Sequence, residues 1–229
     1  WKAGTAFSND ASATGVGSID SSGSVNTDAG FSIIKADSVP ASTTSTIAHG
    51  LGVKPDVVLL KSRNNATNWE MYHSSLTPDA ERKLYLNTTS AEIDSGFMND
   101  TPPTSTVFSF NPGASDSNHI AYCFAEVDGY SKFGSYTGNG NADGTFAYLG
   151  FRPAWVVIKS VTSETGWRIY DSKRLGYNVT NNALYANDSG AEDAANDHID
   201  LTSNGFKMRR SNVSNTDGVT YIYMAFAEQ

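Results

Sequence analysis

Gly52-Val53-Lys54-Pro55-Asp56-Val57-Val58-Leu59-Leu60-Lys61-Ser62 and Gly150-Phe151-Arg152-Pro153-Ala154-Trp155-Val156-Val157-Ile158-Lys159-Ser160 are one pattern written twice, 98 positions apart. In each copy a glycine, a basic residue and a proline lead into a short run of β-branched and other apolar residues that ends on Lys-Ser. Such a run, bounded by turn residues, suits a strand buried on both faces. Proline, which cannot donate to a ladder, belongs at its start. More blocks repeat outward from this pair. Trp69-Glu70-Met71-Tyr72 matches Trp167-Arg168-Ile169-Tyr170, and Leu84-Tyr85-Leu86-Asn87 matches Leu184-Tyr185-Ala186-Asn187. Ile120-Ala121-Tyr122-Cys123-Phe124-Ala125-Glu126 matches Ile222-Tyr223-Met224-Ala225-Phe226-Ala227-Glu228. The offset grows in small steps, as loop insertions into a duplicated unit would make it.

The expected fold is all-β: duplicated antiparallel sandwich or barrel units related by a pseudo-twofold internal repeat, with little helix. Repeat one spans residues 30–128 and repeat two 129–229. Residues 1–29, rich in Gly, Ser, Asn and Asp, read as an arm or connector. No linker separates the repeats, so they are expected to pack as one unit with a shared interior. The wholly apolar run 221–227 belongs in the middle of a sheet. Asn139-Gly140, Asp143-Gly144, Asn204-Gly205 and Asp217-Gly218 offer positive-φ positions for tight hairpins. Residues 78–83 and 189–196 allow at most a turn of helix.

The chain has 229 residues, 17% charged and 39% hydrophobic, with a net charge of −8. The acidic balance argues against a nucleic-acid partner, which calls for a basic field. The longest apolar run, at seven residues, is far short of the ~20 that a membrane helix needs. Trp at residue 1 reads as the start of a piece of a longer chain. The single cysteine, Cys123, excludes an intrachain disulfide and a cysteine-based zinc site, and its apolar surroundings mark it as core.

Chemical motifs are sparse. His49, His73, His119 and His198 show no zinc-protease spacing, and His49, before Gly50-Leu51-Gly52, reads as a turn residue. Neither a Gly-x-Ser-x-Gly elbow nor a phosphate loop occurs, so no catalytic residue and no cofactor is assigned. Asn139, Asn141 and Asp143 imitate the first half of a calcium loop, but Gly150 stands where the bidentate Glu belongs, and a plain hairpin is preferred. Six Asn-x-Ser/Thr triplets are what this composition gives by itself. Trp69 and Trp167, like Tyr72 and Tyr170, are repeat-equivalent. They read either as platforms for sugar rings or as core, and presence in both copies favours core. Lys61 and Lys159 are expected to pair with Glu126 and Glu228. Polar loops 63–68, 111–118, 139–144 and 211–217 are the candidate contact surfaces.

Residues 26–34 (Asn-Thr-Asp-Ala-Gly-Phe-Ser-Ile-Ile), 49–55, 129–140 (Gly-Tyr-Ser-Lys-Phe-Gly-Ser-Tyr-Thr-Gly-Asn-Gly), 150–153 and 221–228 resemble an uncharacterised duplicated domain of phage virion structural and tail-fibre-like proteins, especially of marine phages. The resemblance covers nearly the whole chain. It implies a non-enzymatic virion or extracellular component that contacts other virion proteins, and by analogy a homo-oligomer such as a trimer. Adhesion to a host-surface glycan is the expected role, without nucleic acid or membrane insertion. The alternatives are a carbohydrate-binding module of a secreted glycan-degrading system and, after it, a glycan-cleaving enzyme.

Overall fold

The computed structural model describes residues 4–76, 81–112, 117–175, 178, 182–194 and 198–228. The chain is all-β and antiparallel, with strands β1 to β17 along the sequence and one helix, α1 (Ala11–Thr14), among the described residues. It divides into two compact units, residues 1–85 with 93–126, and residues 86–92 with 127–229. The expected segments 78–83 and 189–196 lie partly outside the described residues.

In the first unit the main sheet contains β1 (Thr5–Asn9), β2 (Ser21–Asn26), β3 (Phe31–Ala36), β5 (Val57–Ser62), β6 (Glu70–His73), β7 (Arg82–Tyr85), β8 (Ile93–Asp94) and β10 (His119–Phe124). Their order is β1-β2-β3-β10-β5-β6-β7-β8. A second sheet pairs β4 (Ser45–Ala48) with β9 (Val107–Phe110). In the second unit β11 (Ser131–Thr137), β13 (Pro153–Ser160), β14 (Arg168–Asp171) and β17 (Thr220–Ala227) run in the order β11-β17-β13-β14. Its smaller sheet holds β12 (Phe146–Tyr148), β15 (Ile199–Thr202) and β16 (Gly205–Met208) in the order β12-β16-β15.

The duplication is visible in the strand registers. Val58 stands opposite Cys123 and Tyr72, and its counterpart Val156 stands opposite Ala225 and Tyr170. The bridge of Met71 to Leu84 has its counterpart in that of Ile169 to Leu184. As its apolar character demands, β17 lies between β11 and β13. Alternate residues of each main sheet face that unit's smaller sheet, which gives each unit its own core. Val58, Leu60, Tyr72, Cys123 and Phe108 belong to one core, and Val156, Ile158, Tyr170, Ala225 and Phe206 to the other. Two sheets suffice to cover one apolar face, so the buried residues of each unit form a cluster of their own.

Further expectations change. Within the expected arm 1–29, β1 and β2 extend the main sheet, and Phe7, Ile19 and Val25 pack on its core. Such strands need only a few apolar residues, because the pairing itself satisfies their backbone. The helix α1 forms without an apolar stripe because Asp10 accepts hydrogen bonds from the N–H groups of Ser12 and Ala13, and Gly15 closes it at φ 69°. Residues 86–92 join the second unit, where Glu92 N–H donates to the Val161 carbonyl. Among the hairpin glycines, Gly140 and Gly218 adopt positive φ, but Gly144 and Gly205 do not. Those two are required by close approach: a Cβ on Gly205 would lie 2.1 Å from the Ala147 carbonyl oxygen.

Candidate functional site

The core-facing side of three adjacent strands in the first unit changes character at one end. On β5 it runs Val58, Leu60, Ser62; on β6, Tyr72 then Glu70; on β10, Cys123, Ala121, His119. The residues that continue the apolar face are replaced at the mouth of the sandwich by a hydroxyl, a carboxylate and an imidazole. Phe110 from β9 and Phe97 close the floor, with ring centroids 6.1 Å apart, and the His119 ring stands edge-on to Phe110 at 4.7 Å. The result is a cleft of about 370 Å³ within this unit, rimmed by Asn65, Thr67, Asn68, Ser95 and Asn111. That size is in the range of small-molecule sites.

One ion pair sits in the cleft. Lys83 Nζ donates to Glu70 Oε1 at 2.5 Å, and both side chains are largely buried. The ammonium also lies 5.3 Å from the Tyr85 ring centre and 5.4 Å from that of Phe97. Two ring faces and a carboxylate therefore hold it in place. Both polar loops contribute to the cleft, through Asn65, Thr67 and Asn68 and through Asn111, and they are bonded to each other: Arg63 N–H donates to the Asn118 carbonyl, and Asn118 Nδ2 donates to Asn64 Oδ1 at 2.9 Å. Candidate loop 111–118 is described except for residues 113–116, which lie outside the described residues.

The other two loops meet in the second unit through a residue that sequence reasoning passed over. Asn215 is fully buried. The two hydrogens of its Nδ2 are shared among Asn139 Oδ1, the Asn141 carbonyl and the Arg210 carbonyl, all within 2.9 Å, while its Oδ1 accepts from Asn139 N–H. Asn139 Oδ1 also accepts from Asn141 N–H, and Asn141 Oδ1 from Asp143 N–H. Asp143 pairs with Lys207 at 2.6 Å, and this bond holds its carboxyl below the usual carboxylate range. The oxygens proposed for calcium thus turn inward to backbone N–H groups or to a lysine, as in a hairpin of successive Asx turns. Among the described residues, no three His, Cys, Asp or Glu side chains group as a metal site would need.

The repeat-equivalent aromatics do not meet at a surface. Tyr72 and Tyr170 are core, and Trp167 is 1% exposed, which removes all three as sugar platforms. Trp69 is half-buried, 6.0 Å from the Tyr122 ring. The exposed pair is Phe146 and Tyr148, at alternate positions of β12 and 42% and 64% exposed. By strand register, with Ala147 opposite Phe206 as Ile47 is opposite Phe108, their counterparts in repeat one are Thr46 and Ala48, so the available signal was aromatic character in one copy only.

The expected Lys–Glu pairs are absent. Lys61 Nζ donates to the Ser62 and Asn65 carbonyls, and Lys159 Nζ to those of Ser160, Ser163 and Thr89. The strand end turns its carbonyls toward the ammonium before any glutamate can reach it; Glu228 pairs instead with Lys173. Burial pushes Lys159 down to about 8. His49 is buried in its turn: Nδ1 accepts from Leu51 N–H, and Nε2 lies 3.2 Å from the Thr104 carbonyl. His198 lies 3.4 Å from Asp193, which is also bonded by the Tyr185 hydroxyl. Burial lowers the pKa of both imidazoles.

A family model described as a domain of unknown function, DUF7483, matches residues 1–229. The chain belongs to the DUF7483 family. No curated protein matches this DUF7483 chain. One solved structure, described as the crystal structure of the STIV MCP, aligns at 10% identity and a TM-score of 0.22 over 99% of this chain and 93% of the other. A likeness that faint carries no argument about fold or role. No helix among the described residues is long and apolar enough to cross a membrane.

Proposed function

We propose that this DUF7483 domain is a non-enzymatic component of a virion and serves attachment to the host surface. The supporting observation is the cleft of the first unit, where two of the four polar loops meet around a fixed Glu70–Lys83 pair. The ordered resemblance to phage virion and tail-fibre-like domains supplies the setting, with other virion proteins and further copies of the chain as partners. A single shallow site binds weakly, and copies on one particle multiply it. The test is competition: purified protein added to phage and host should reduce adsorption in a dose-dependent way. Undiminished adsorption at saturating protein sinks the attachment role.

The second reading is a carbohydrate-binding module of a secreted glycan-degrading system. It is favoured by Phe146 and Tyr148, which present two rings on one strand. Product analysis on host polysaccharide separates both readings from a glycan-cleaving enzyme, for which shortened chains are the signature.

A further inference from the structure

The two mouths of the duplicated sandwich have diverged where their cores have not. Tyr72 and Tyr170 are both buried, as are Phe108 and Phe206. At the mouth, register puts Arg168 in place of Glu70, each opposite the corresponding β5 or β13 residue, Leu60 or Ile158. It likewise puts Tyr221 in place of His119, opposite Ser160 and Ser62. The repeat alignment puts Ala183 in place of Lys83. In the second unit these groups are spent internally. Arg168 donates to the Tyr185 hydroxyl and lies 3.8 Å from Asp193. The Tyr221 hydroxyl donates to the Val213 carbonyl, and its ring stacks on Tyr136.

The first unit keeps donors and acceptors at the same place. An ammonium has three N–H groups and a carboxylate about four acceptor positions. The bond between Lys83 and Glu70 uses one of each, and among the described residues Lys83 also lies against two ring faces. The pair cancels in charge, the His119 ring is turned edge-on to Phe110, and the rim side chains Asn65, Thr67, Asn68, Ser95 and Asn111 are amides and hydroxyls. Nothing in this set selects an anion or a cation. A hydroxyl both donates and accepts, so two neighbouring hydroxyls on one ring match a carboxylate and an ammonium held 2.5 Å apart. The size of the cleft suits one or two rings.

We infer that the mouth of the first unit binds a neutral saccharide, with Glu70 and Lys83 gripping adjacent hydroxyls of one ring. This rests on the attachment reading and names its ligand class. Glu70 accepts from one hydroxyl, Lys83 donates to the next, and the rim amides take the outlying ones.

The test is titration of the intact protein, followed by saturation-transfer NMR, with the methyl glycosides of glucose, galactose and mannose and with their uronic-acid and 2-amino counterparts. At least one neutral glycoside should bind, and its charged counterparts roughly tenfold or more weakly. Glu70→Gln and Lys83→Met should each weaken binding by a similar factor. Thr67→Trp, which fills the exposed rim without touching the ion pair, should abolish it, and Tyr148→Ala should leave it unchanged; thermal melts confirm that each variant is folded. Preference for a charged sugar, binding that survives Thr67→Trp, loss on Tyr148→Ala, or no binding of any neutral glycoside overturns the inference. Failure here with adsorption still blocked by the protein leaves attachment standing through another ligand, whereas unblocked adsorption removes attachment itself.

Discussion

At the residue scale, protonation decides several outcomes. His49 and His198 have lowered pKa values because burial disfavours the charged ring. Between those values and the ordinary 6.5 the unfolded chain binds more protons than the folded one, so their contribution to stability is full above about pH 6.5 and is lost as pH falls below it. Thermal melts should show a lower Tm at about pH 5 than at 7.5, and His49→Asn with His198→Gln should shrink that difference; an unchanged difference assigns it to other groups. Burial pushes the Cys123 thiol up to about 12. A thiol reagent at about pH 8 should not label the native protein and should label it once it is unfolded in guanidinium. Lys159 is 1% exposed and donates to three carbonyls, so Lys159→Met removes their buried charged donor and should cost about 2–3 kcal/mol. The half-buried Lys61 releases its two carbonyls partly to water, and Lys61→Met should cost less than about 1 kcal/mol. Equal costs in urea denaturation would contradict that difference.

At the scale of elements, Asn215 ties loop 139–144 to loop 211–217. Asn215→Ala should cost about 2–3 kcal/mol and raise hydrogen exchange at Asn139 and Thr145, both of whose N–H groups face its oxygen. The strands themselves were legible in the sequence, because a β-branched run after Pro55 or Pro153 has few other ways to bury itself. The sandwich end was not, since Ser62, Glu70 and His119 lie on three strands, and only their register places them on one face. Loops 63–68 and 111–118 stood out by composition, yet composition could not show that they rim one cleft. Tyr72 and Tyr170 were ambiguous between platform and core for a related reason: a period-two pattern marks two faces without saying which is covered. The strands β1 and β2 were missed because Ser- and Gly-rich strands carry almost no apolar pattern, their stability coming from pairing at the edge of a sheet.

At the scale of the whole molecule, one ancestral unit was written twice, and each copy closes its own core between two sheets. Duplication left one copy free to change at its mouth while the other filled the same place with Arg168 and Tyr221. The most direct measurement of this account is binding of the labelled intact protein to a panel of marine bacterial isolates, comparing the unmodified chain with Thr67→Trp and Tyr148→Ala. The account predicts that at least one isolate is bound, that Thr67→Trp loses roughly tenfold or more in affinity, and that Tyr148→Ala keeps it. Binding undiminished in Thr67→Trp, or lost in Tyr148→Ala, would contradict it.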